Sequence, residues 1–271
     1  MKHTFSGKNV ILTGAASGIG RALATSLARS GANVFALDLD GRGLESLAAE
    51  CGVGSIHPFA LDVSDFDAYA RVVEEIGSRC GTIDYLFNNA GVTQLGEAHL
   101  VPFDRWKWLL DINLMGVAHG IHLVYPIMIG QGRGHIVNTA SIAGETGYAT
   151  AAAYTASKAA VLELSRSLGA EAKGHGVKVS AACPGYVDSG IFSQDRILGV
   201  DRERVINDLP VKMMTPRQAA EGLLKGVAAG KRVIVFPLSA RLFWALSKWA
   251  PGALGFYQRK LLDVFRKNGA A

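Results

Sequence analysis

The chain has 271 residues, of which 49% are apolar and 19% are charged. This composition excludes disordered and fibrous proteins and supports a sizeable core without disulfide staples. The net charge is +5, and residues 238–271 hold six basic residues and one acid. Residues 1–237 are therefore neutral, with 22 charges of each sign. A neutral body argues against nucleic-acid binding.

Cysteine usage and the N-terminal sequence bear on the cellular compartment. Cys51, Cys80 and Cys183 form no Cys-x-x-Cys pair, which argues against a disulfide framework or a zinc site and indicates a reducing cytoplasm. The first residues lack the apolar stretch of a signal peptide. No run of 18 apolar residues is present, so we expect no membrane span. The seven histidines form no ligand pattern, and we expect no metal.

Short apolar, β-branched runs alternate with helical patterns along the chain. Runs that are apolar on both faces are typical of a parallel sheet covered by helices on both sides. The alternation alone leaves two folds open, an open doubly wound sheet and an eight-fold barrel. The predicted strands are residues 9–13, 33–38, 55–61, 83–88, 135–139, 177–183 and 232–236. The predicted helices are residues 19–30, 43–50, 64–79, 103–129, 154–173 and 216–229.

A glycine-rich turn follows the first predicted strand and reads Thr13-Gly-Ala-Ala-Ser-Gly-Ile-Gly20. Glycines at such a turn let the backbone approach a pyrophosphate at the N-terminus of the next helix. Asp38 ends the second strand, 18 residues after Gly20. A carboxylate there accepts hydrogen bonds from an adenosine ribose and repels a 2′-phosphate. The alternative is that Asp38 is only a capping or solvated turn residue.

The turn spacing Gly-x-x-x-Gly-x-Gly resembles that of the short-chain dehydrogenase/reductase (SDR) family. Further family motifs follow in order: Asn88-Asn-Ala-Gly91, Asn113, Ser141, Tyr154-Thr-Ala-Ser-Lys158 and Pro184-Gly185. The resemblance covers about residues 5–237. It implies a Rossmann-type doubly wound, parallel seven-stranded sheet with helices on both faces. It also implies one dinucleotide-binding and catalytic domain in residues 1–237, with a substrate loop at about 186–214.

The resemblance further implies a nicotinamide cofactor. We expect NAD rather than NADP, because Asp38 is acidic and residues 15–17 contain no basic side chain. Arg42 is a reservation about this preference for NAD, since its side chain is long enough to reach back to the 2′-position of the ribose. Ser189 stands where the family usually has threonine. The predicted cofactor-binding residues are Thr13, Gly14, Ser17, Gly18, Ile19, Gly20, Asp38, Asp62, Val63, Asn89, Gly91, Tyr154, Lys158, Pro184, Gly185, Val187 and Ser189.

The catalytic residues implied by the family are Asn113, Ser141, Tyr154 and Lys158. Hydride transfer between an alcohol carbon and nicotinamide requires a proton to leave or reach the oxygen, and Tyr154 is predicted to carry it. Lys158, one helical turn away, is expected to lower the pKa of the phenol. Ser141 would hold the substrate oxygen, and Asn113 would support a water leading to Lys158.

The loop after Pro184-Gly185 favours a bulky, lipophilic secondary alcohol or ketone of steroid, retinoid or long-chain type. Its aliphatic and methionine side chains suit a variable apolar ligand. Three alternatives stay open: these residues merely pack the loop, the chain is a ketoacyl-type reductase using NADPH, or it is a non-catalytic nicotinamide-binding regulator. By resemblance we also expect a homodimer or homotetramer. The apolar loop residues are Ile191, Phe192, Ile197, Leu198, Val200, Val205, Ile206, Leu209, Val211, Met213 and Met214.

Residues 238–271 form a predicted helical tail that carries six of the 22 aromatic residues. Pro251-Gly252 divides it into two short helices. Two placements stay open: the tail lies in a membrane interface, or it covers the substrate cleft or a partner subunit. On the second helix an apolar stripe comprises Leu254, Tyr257, Leu261, Leu262, Val264 and Phe265. The opposite face holds Phe256, Arg259, Lys260, Asp263, Arg266 and Lys267.

Overall fold

The computed structural model describes residues 2–52, 54–201, 203–204 and 213–267. Seven parallel strands form one sheet in the order β3-β2-β1-β4-β5-β6-β7. The chain winds outward from β1 in one direction and then, from β4, in the other. This confirms the doubly wound sheet and excludes the barrel. The strands are β1 Asn9–Thr13, β2 Asn33–Asp38, β3 Ile56–Ala60, β4 Tyr85–Asn88, β5 Gly134–Thr139, β6 Val177–Pro184 and β7 Val233–Phe236.

Helices cover both faces of the sheet. Val10 and Leu12 of β1 lie in one core, while Ile11 lies in the other, because side chains alternate along a strand. Helices α2, α3 and α9 pack on the first face, and α4, α6 and α8 pack on the second. The helices are α1 Lys2–Phe5, α2 Gly18–Arg29, α3 Gly41–Cys51, α4 Phe66–Cys80, α5 Phe103–Leu110, α6 Gly116–Gln131, α7 Ala143–Thr146, α8 Ala152–Glu171, α9 Pro216–Ala228, α10 Leu238–Trp249 and α11 Pro251–Lys267.

The helix predicted for residues 103–129 is interrupted. Helices α5 and α6 are joined by a π-helical turn, Asp111–Met115, that contains the fully buried Asn113. π-Helical turns occur frequently at functional sites. The sequence pattern missed this turn because the apolar periodicity continues through it. It also missed α7, whose four residues are too few to show a period.

The combined helix Phe103–Gln131 bears on the expectation that no segment spans a membrane. Among the described residues, it is long and apolar enough to cross a membrane, with a mean hydropathy of 1.4. One such helix is weak evidence, because the core helix of a globular protein passes the same test. Val124 and Met128 of this helix are fully buried in the core on the second face of the sheet.

The tail helices α10 and α11 pack on each other and on the body. The rings of Phe243 and Tyr257 meet edge to face at 4.9 Å. The Gln258 side chain donates a hydrogen bond to the Thr146 carbonyl oxygen (2.8 Å). Arg266 binds both carboxylate oxygens of Glu97, at 2.9 and 2.7 Å. These contacts fix α11 across the end of the sheet where the strands finish.

The apolar stripe predicted on α11 faces the body rather than solvent. Leu261 and Phe265 are buried, and the other members of the stripe are partly buried. Phe265 belongs to a cluster with Leu95, Ala151 and Ile197. For this helix, the structure therefore agrees with the covering alternative that the sequence left open.

Candidate active site

A cleft of about 960 Å³ lies at the carboxyl ends of the strands. Its lining comes from the segments that follow the first six strands, β1 to β6, together with α5, α8 and the tail. The order of the sheet reverses between β1 and β4, and the helices on either side diverge there. Ligands of open α/β sheets bind in the crevice that this reversal creates.

The glycine-rich turn between β1 and α2 has no room for side chains at its three glycine positions. Gly14 and Gly18 have positive φ angles of +68° and +51°. A methyl group on Gly18 would lie 2.9 Å from Ser189, and one on Gly20 would lie 1.8 Å from the Gly14 carbonyl oxygen. Ser17 precedes α2 without a side-chain capping bond. The turn thus places bare backbone and a helix N-terminus at the cleft, which fits a pyrophosphate.

Thr13 ties the turn after β1 to the turn after β4. Its hydroxyl accepts hydrogen bonds from the backbone N–H groups of Asn89 and Ala90, both at 3.0 Å. The Asn89 amide in turn donates to the carbonyl oxygens of Thr13 (3.1 Å) and Gly14 (3.3 Å). Thr13 itself is buried behind the cleft wall, and it holds together two loops that line the cleft.

Asp38 lies at one end of the cleft. One carboxylate oxygen accepts from the Ala16 N–H (2.9 Å), and the other accepts from the Asp40 N–H (3.0 Å). These bonds hold the carboxylate beside the glycine-rich turn, where a ribose joined to the pyrophosphate would sit. Asp62 and Val63 line the same end, as predicted for an adenine site, whereas the exposed Arg42 is not part of the lining.

Tyr154, Lys158 and Ser141 converge at the opposite end. Tyr154 and Lys158 lie one turn apart on α8, and Ser141 follows β5. The Ser141 hydroxyl is hydrogen-bonded to the Tyr154 phenol and also accepts from the Ala143 N–H (3.1 Å). The ammonium of Lys158 donates to the Thr139 carbonyl oxygen (2.8 Å) and lies 5.8 Å from the centre of the Tyr154 ring.

Asn113 lies behind this end rather than in the cleft wall. Its carbonyl oxygen accepts from the Val92 N–H (2.7 Å), and its amide donates to the Val92 carbonyl oxygen (2.9 Å) and the Ser157 hydroxyl (3.1 Å). A methyl group on Gly91 would lie 3.2 Å from the Asn113 oxygen and 3.3 Å from the Lys158 nitrogen. The Asn113 side chain thus holds the loop after β4 against α8. Its predicted water stays a prediction.

Burial controls the ionisation of the two central groups. It raises the pKa of Tyr154 above 10, and the hydrogen bond with Ser141 lowers it in part. Burial lowers the pKa of Lys158 to about 8. The Tyr154-Thr-Ala-Ser-Lys158 motif predicts a lowered pKa for Tyr154, because a nearby positive charge stabilises the phenolate. The cost of burying the phenolate acts in the opposite direction and is not visible in the sequence. A second positive charge in the cleft would favour the phenolate.

All predicted site residues except Thr13 and Asn113 line the cleft, and their roles stay predictions. Several other lining residues were not among the predicted site residues, because tertiary packing brings them to the cleft. Trp108 reaches the cleft from α5, and the Arg196 guanidinium lies 5.9 Å from its ring centre. Tyr186 lines the cleft directly after Gly185. From the tail come Pro237, Ser239, Ala240, Phe243, Leu246 and Tyr257.

The family model described as short chain dehydrogenase matches residues 8–197. The chain belongs to this family. It is 34% identical to a 3-oxoacyl-(acyl-carrier-protein) reductase of Thermotoga maritima, over 80% of this chain and 89% of that protein. It is 38% identical to the 2-dehydro-3-deoxy-L-rhamnonate dehydrogenase (NAD(+)) of a Sphingomonas species, over 70% of this chain and 76% of that protein.

A solved SDR structure from Burkholderia phymatum, in complex with NAD, is also similar to this chain. The TM-score is 0.82 at 28% identity, and the match covers 90% of this chain and 94% of the other. The family match covers all four predicted catalytic positions. The protein is therefore an oxidoreductase of the SDR family, with a nicotinamide cofactor expected in the cleft.

The burial of Lys158 predicts a pH-dependent difference in stability. Between about pH 8 and pH 10.5 the unfolded chain holds more protons at Lys158 than the folded chain, so the free energy of unfolding rises with pH. Lys158→Met removes this rise. We expect the free energy of unfolding of the wild type, minus that of the variant, to increase by about 3 kcal/mol across this range.

Urea unfolding at several pH values measures this difference. Lys173→Met, at an exposed lysine just beyond α8, serves as the matched control and should show no such increase. A wild-type minus Lys158→Met difference that stays constant with pH contradicts the lowered pKa.

Proposed function

We propose that the protein transfers a hydride between NAD and a bulky, lipophilic secondary alcohol or ketone. The main support is the joint placement of Ser141, Tyr154 and Lys158 in a cleft whose opposite end holds Asp38. The bare glycine turn between these two ends fits the pyrophosphate of a dinucleotide. When bound, the nicotinamide supplies the hydride acceptor or donor.

The side chains of this chain handle the proton. In the oxidative direction the Ser141 hydroxyl and the Tyr154 phenolate bind the alcohol oxygen, and Tyr154 takes its proton as the hydride leaves the carbon. In the reductive direction the phenol returns the proton to the carbonyl oxygen. Lys158, held by the Thr139 carbonyl, stabilises the phenolate by its charge. Holding the oxygen at two points also orients the reacting carbon.

The lining around the tyrosine supports an apolar substrate. Phe192, Phe243 and Leu246 line the cleft on the side formed by the substrate loop and the tail. Among the described lining residues on that side, Arg196 is the charged one, and its guanidinium lies against Trp108. Met214 is buried beside Val187, while residues 205–212 of the predicted loop lie outside the described part of the chain.

A ketoacyl-type reductase is the second candidate. The Thermotoga relative carries that name, and Arg196 supplies a positive group for an anionic carrier or substrate. The acidic Asp38 disfavours the NADPH that this alternative assumes. A non-catalytic regulator is a weaker candidate, because it has no need of the Tyr154–Ser141 hydrogen bond.

Tyr154→Phe tests turnover. The change removes the proton carrier and leaves the ring in place, so we expect the rate constant kcat to fall by at least about a hundredfold. NAD affinity, measured by isothermal titration, should stay within about twofold. Substantial residual activity would assign proton transfer to another group.

Asp38→Ala tests the cofactor preference. The wild type should favour NAD over NADP by roughly a hundredfold in kcat/KM, or about 2.8 kcal/mol, because the carboxylate repels the 2′-phosphate. The variant should lose at least about tenfold of that preference. Asp40→Ala removes a carboxylate two residues away in the same cleft and should leave the preference unchanged. A wild-type preference for NADPH overturns the assignment.

A substrate panel tests the lipophilic class. We expect turnover with secondary long-chain alcohols and hydroxysteroids and little with polyols of similar size. Phe243→Ala should raise KM for the lipophilic substrates by roughly tenfold, since it removes apolar contact area from the cleft wall. Turnover confined to sugars or to acyl carriers would overturn the lipophilic class, and turnover of acyl carriers would favour the second candidate.

A cytoplasmic location and a homo-oligomer through residues 103–129 and 154–173 remain predictions from the sequence. Gel filtration with light scattering measures the size of the oligomer directly. Neither bears on the chemistry proposed for the cleft.

A further inference from the structure

The outer face of α10 carries a continuous stripe of large apolar side chains. Leu238, Leu242, Leu246 and Trp249 are separated by four, four and three residues, which places them on one side of the helix. All four are exposed, and Trp249 is the most exposed at 88%. We call these four residues the α10 face. The buried side of α10 is instead marked by Ala240, so the exposed stripe is not the face that packs on the body.

The outer face of α11 has a different composition but the same exposure. Phe256 is 72% exposed, because it lies on the side of the helix opposite the buried Leu261 and Phe265. Arg259 and Lys260 follow Phe256 on this outer side and are exposed as well. An exposed aromatic ring among basic side chains is typical of helices that lie at a charged lipid surface.

The charge of the protein is concentrated in these two helices. Residues 1–237 are neutral, so the net charge of +5 lies entirely in residues 238–271. Basic residues near an anionic membrane surface are attracted to it, and this attraction falls off within a Debye length. The exposed apolar stripe and the excess of basic over acidic residues thus lie in the same segment, residues 238–271.

The α10 face is also continuous with the mouth of the cleft. Leu246 belongs to the exposed face and at the same time lines the cleft. Phe243, on the adjacent side of α10, lines the cleft and contacts Tyr257 of α11. A surface that contacts the α10 face would therefore lie next to the opening through which an apolar molecule reaches Tyr154.

We propose that the α10 face, with Phe256 and the basic residues of α11, docks the protein on an anionic lipid bilayer. Leu238, Leu242, Leu246 and Trp249 enter the interface, and Arg259 and Lys260 contact the headgroups. The protein binds peripherally, since neither tail helix is long enough to span a bilayer. The lipid contact does not depend on turnover. Only its use in supplying a membrane-dissolved substrate rests on the proposed function.

Co-sedimentation of the full chain with lipid vesicles tests the proposal. We expect the wild type to sediment with phosphatidylglycerol vesicles but not with phosphatidylcholine vesicles, and 0.5 M salt should release at least about half of it. Leu242→Ser/Trp249→Ser should weaken vesicle binding at least about tenfold, because it removes two of the apolar side chains that enter the lipid interface. Arg259→Gln/Lys260→Gln should weaken it at low salt and reduce the dependence on salt.

Two variants serve as matched controls. Phe103→Ser removes an aromatic side chain that is 84% exposed but lies outside the tail, and Lys225→Gln/Lys231→Gln removes two exposed charges from the body. Both should bind vesicles like the wild type. NAD titration of every variant distinguishes failure of the proposed function from failure of lipid docking, because the altered residues lie outside the cofactor end of the cleft.

Two results would overturn the proposal. One is that the wild type sediments neither with phosphatidylglycerol vesicles nor with phosphatidylcholine vesicles. The other is that Leu242→Ser/Trp249→Ser leaves vesicle binding unchanged while it reduces the oligomer measured by light scattering. In that case the α10 face is a contact between two copies of the chain.

Discussion

The active site depends on the hydrogen bonds through which Thr13 joins the ends of β1 and β4. These strands are neighbours in the sheet, but the chain leaves them in opposite directions, so the loops that follow them would otherwise be free to separate. The Thr13 hydroxyl holds the backbone of Asn89 and Ala90, and the Asn89 amide holds the glycine-rich turn. The phosphate-side turn and the loop that reaches Asn113 are thereby fixed to each other. Each bond of this kind contributes about 1 kcal/mol, and the loss of these bonds would leave several polar groups unpaired.

A second set of contacts links this crevice to the reacting end. Asn113 uses its whole amide group to join the loop after β4 to α8, the helix that carries Tyr154 and Lys158. Lys158 is bound in turn to the last residue of β5. The π-helical turn allows a buried asparagine to reach both partners from a helix that also packs on the sheet. The reacting groups are thus positioned by the same backbone contacts that close the core.

Much of this arrangement follows from the sequence. Parallel strands that are apolar on both faces predict the sheet, and the ordered glycine, asparagine, serine, tyrosine and lysine motifs predict which side chains meet. The sequence could not show that Thr13 and Asn113 lie behind the wall, because a motif gives spacing along the chain and not the direction of a side chain. Nor could it predict the raised pKa of Tyr154, which depends on burial. The apolar stripe of α11 could be predicted from its periodicity, but the surface of the body on which it packs could not.

The cleft wall is divided between two parts of the sequence that have different roles. The groups proposed to move the proton lie within residues 8–197, where the family model matches. Phe243, Leu246 and Tyr257, which border the space beside them, lie beyond that match. Substitutions in the tail therefore reshape the pocket without disturbing the hydrogen bonds of the reacting groups. In evolutionary terms this separation allows one reaction to be kept while the molecules that undergo it are exchanged, and a swap of tails between homologues becomes a practical route to altered selectivity.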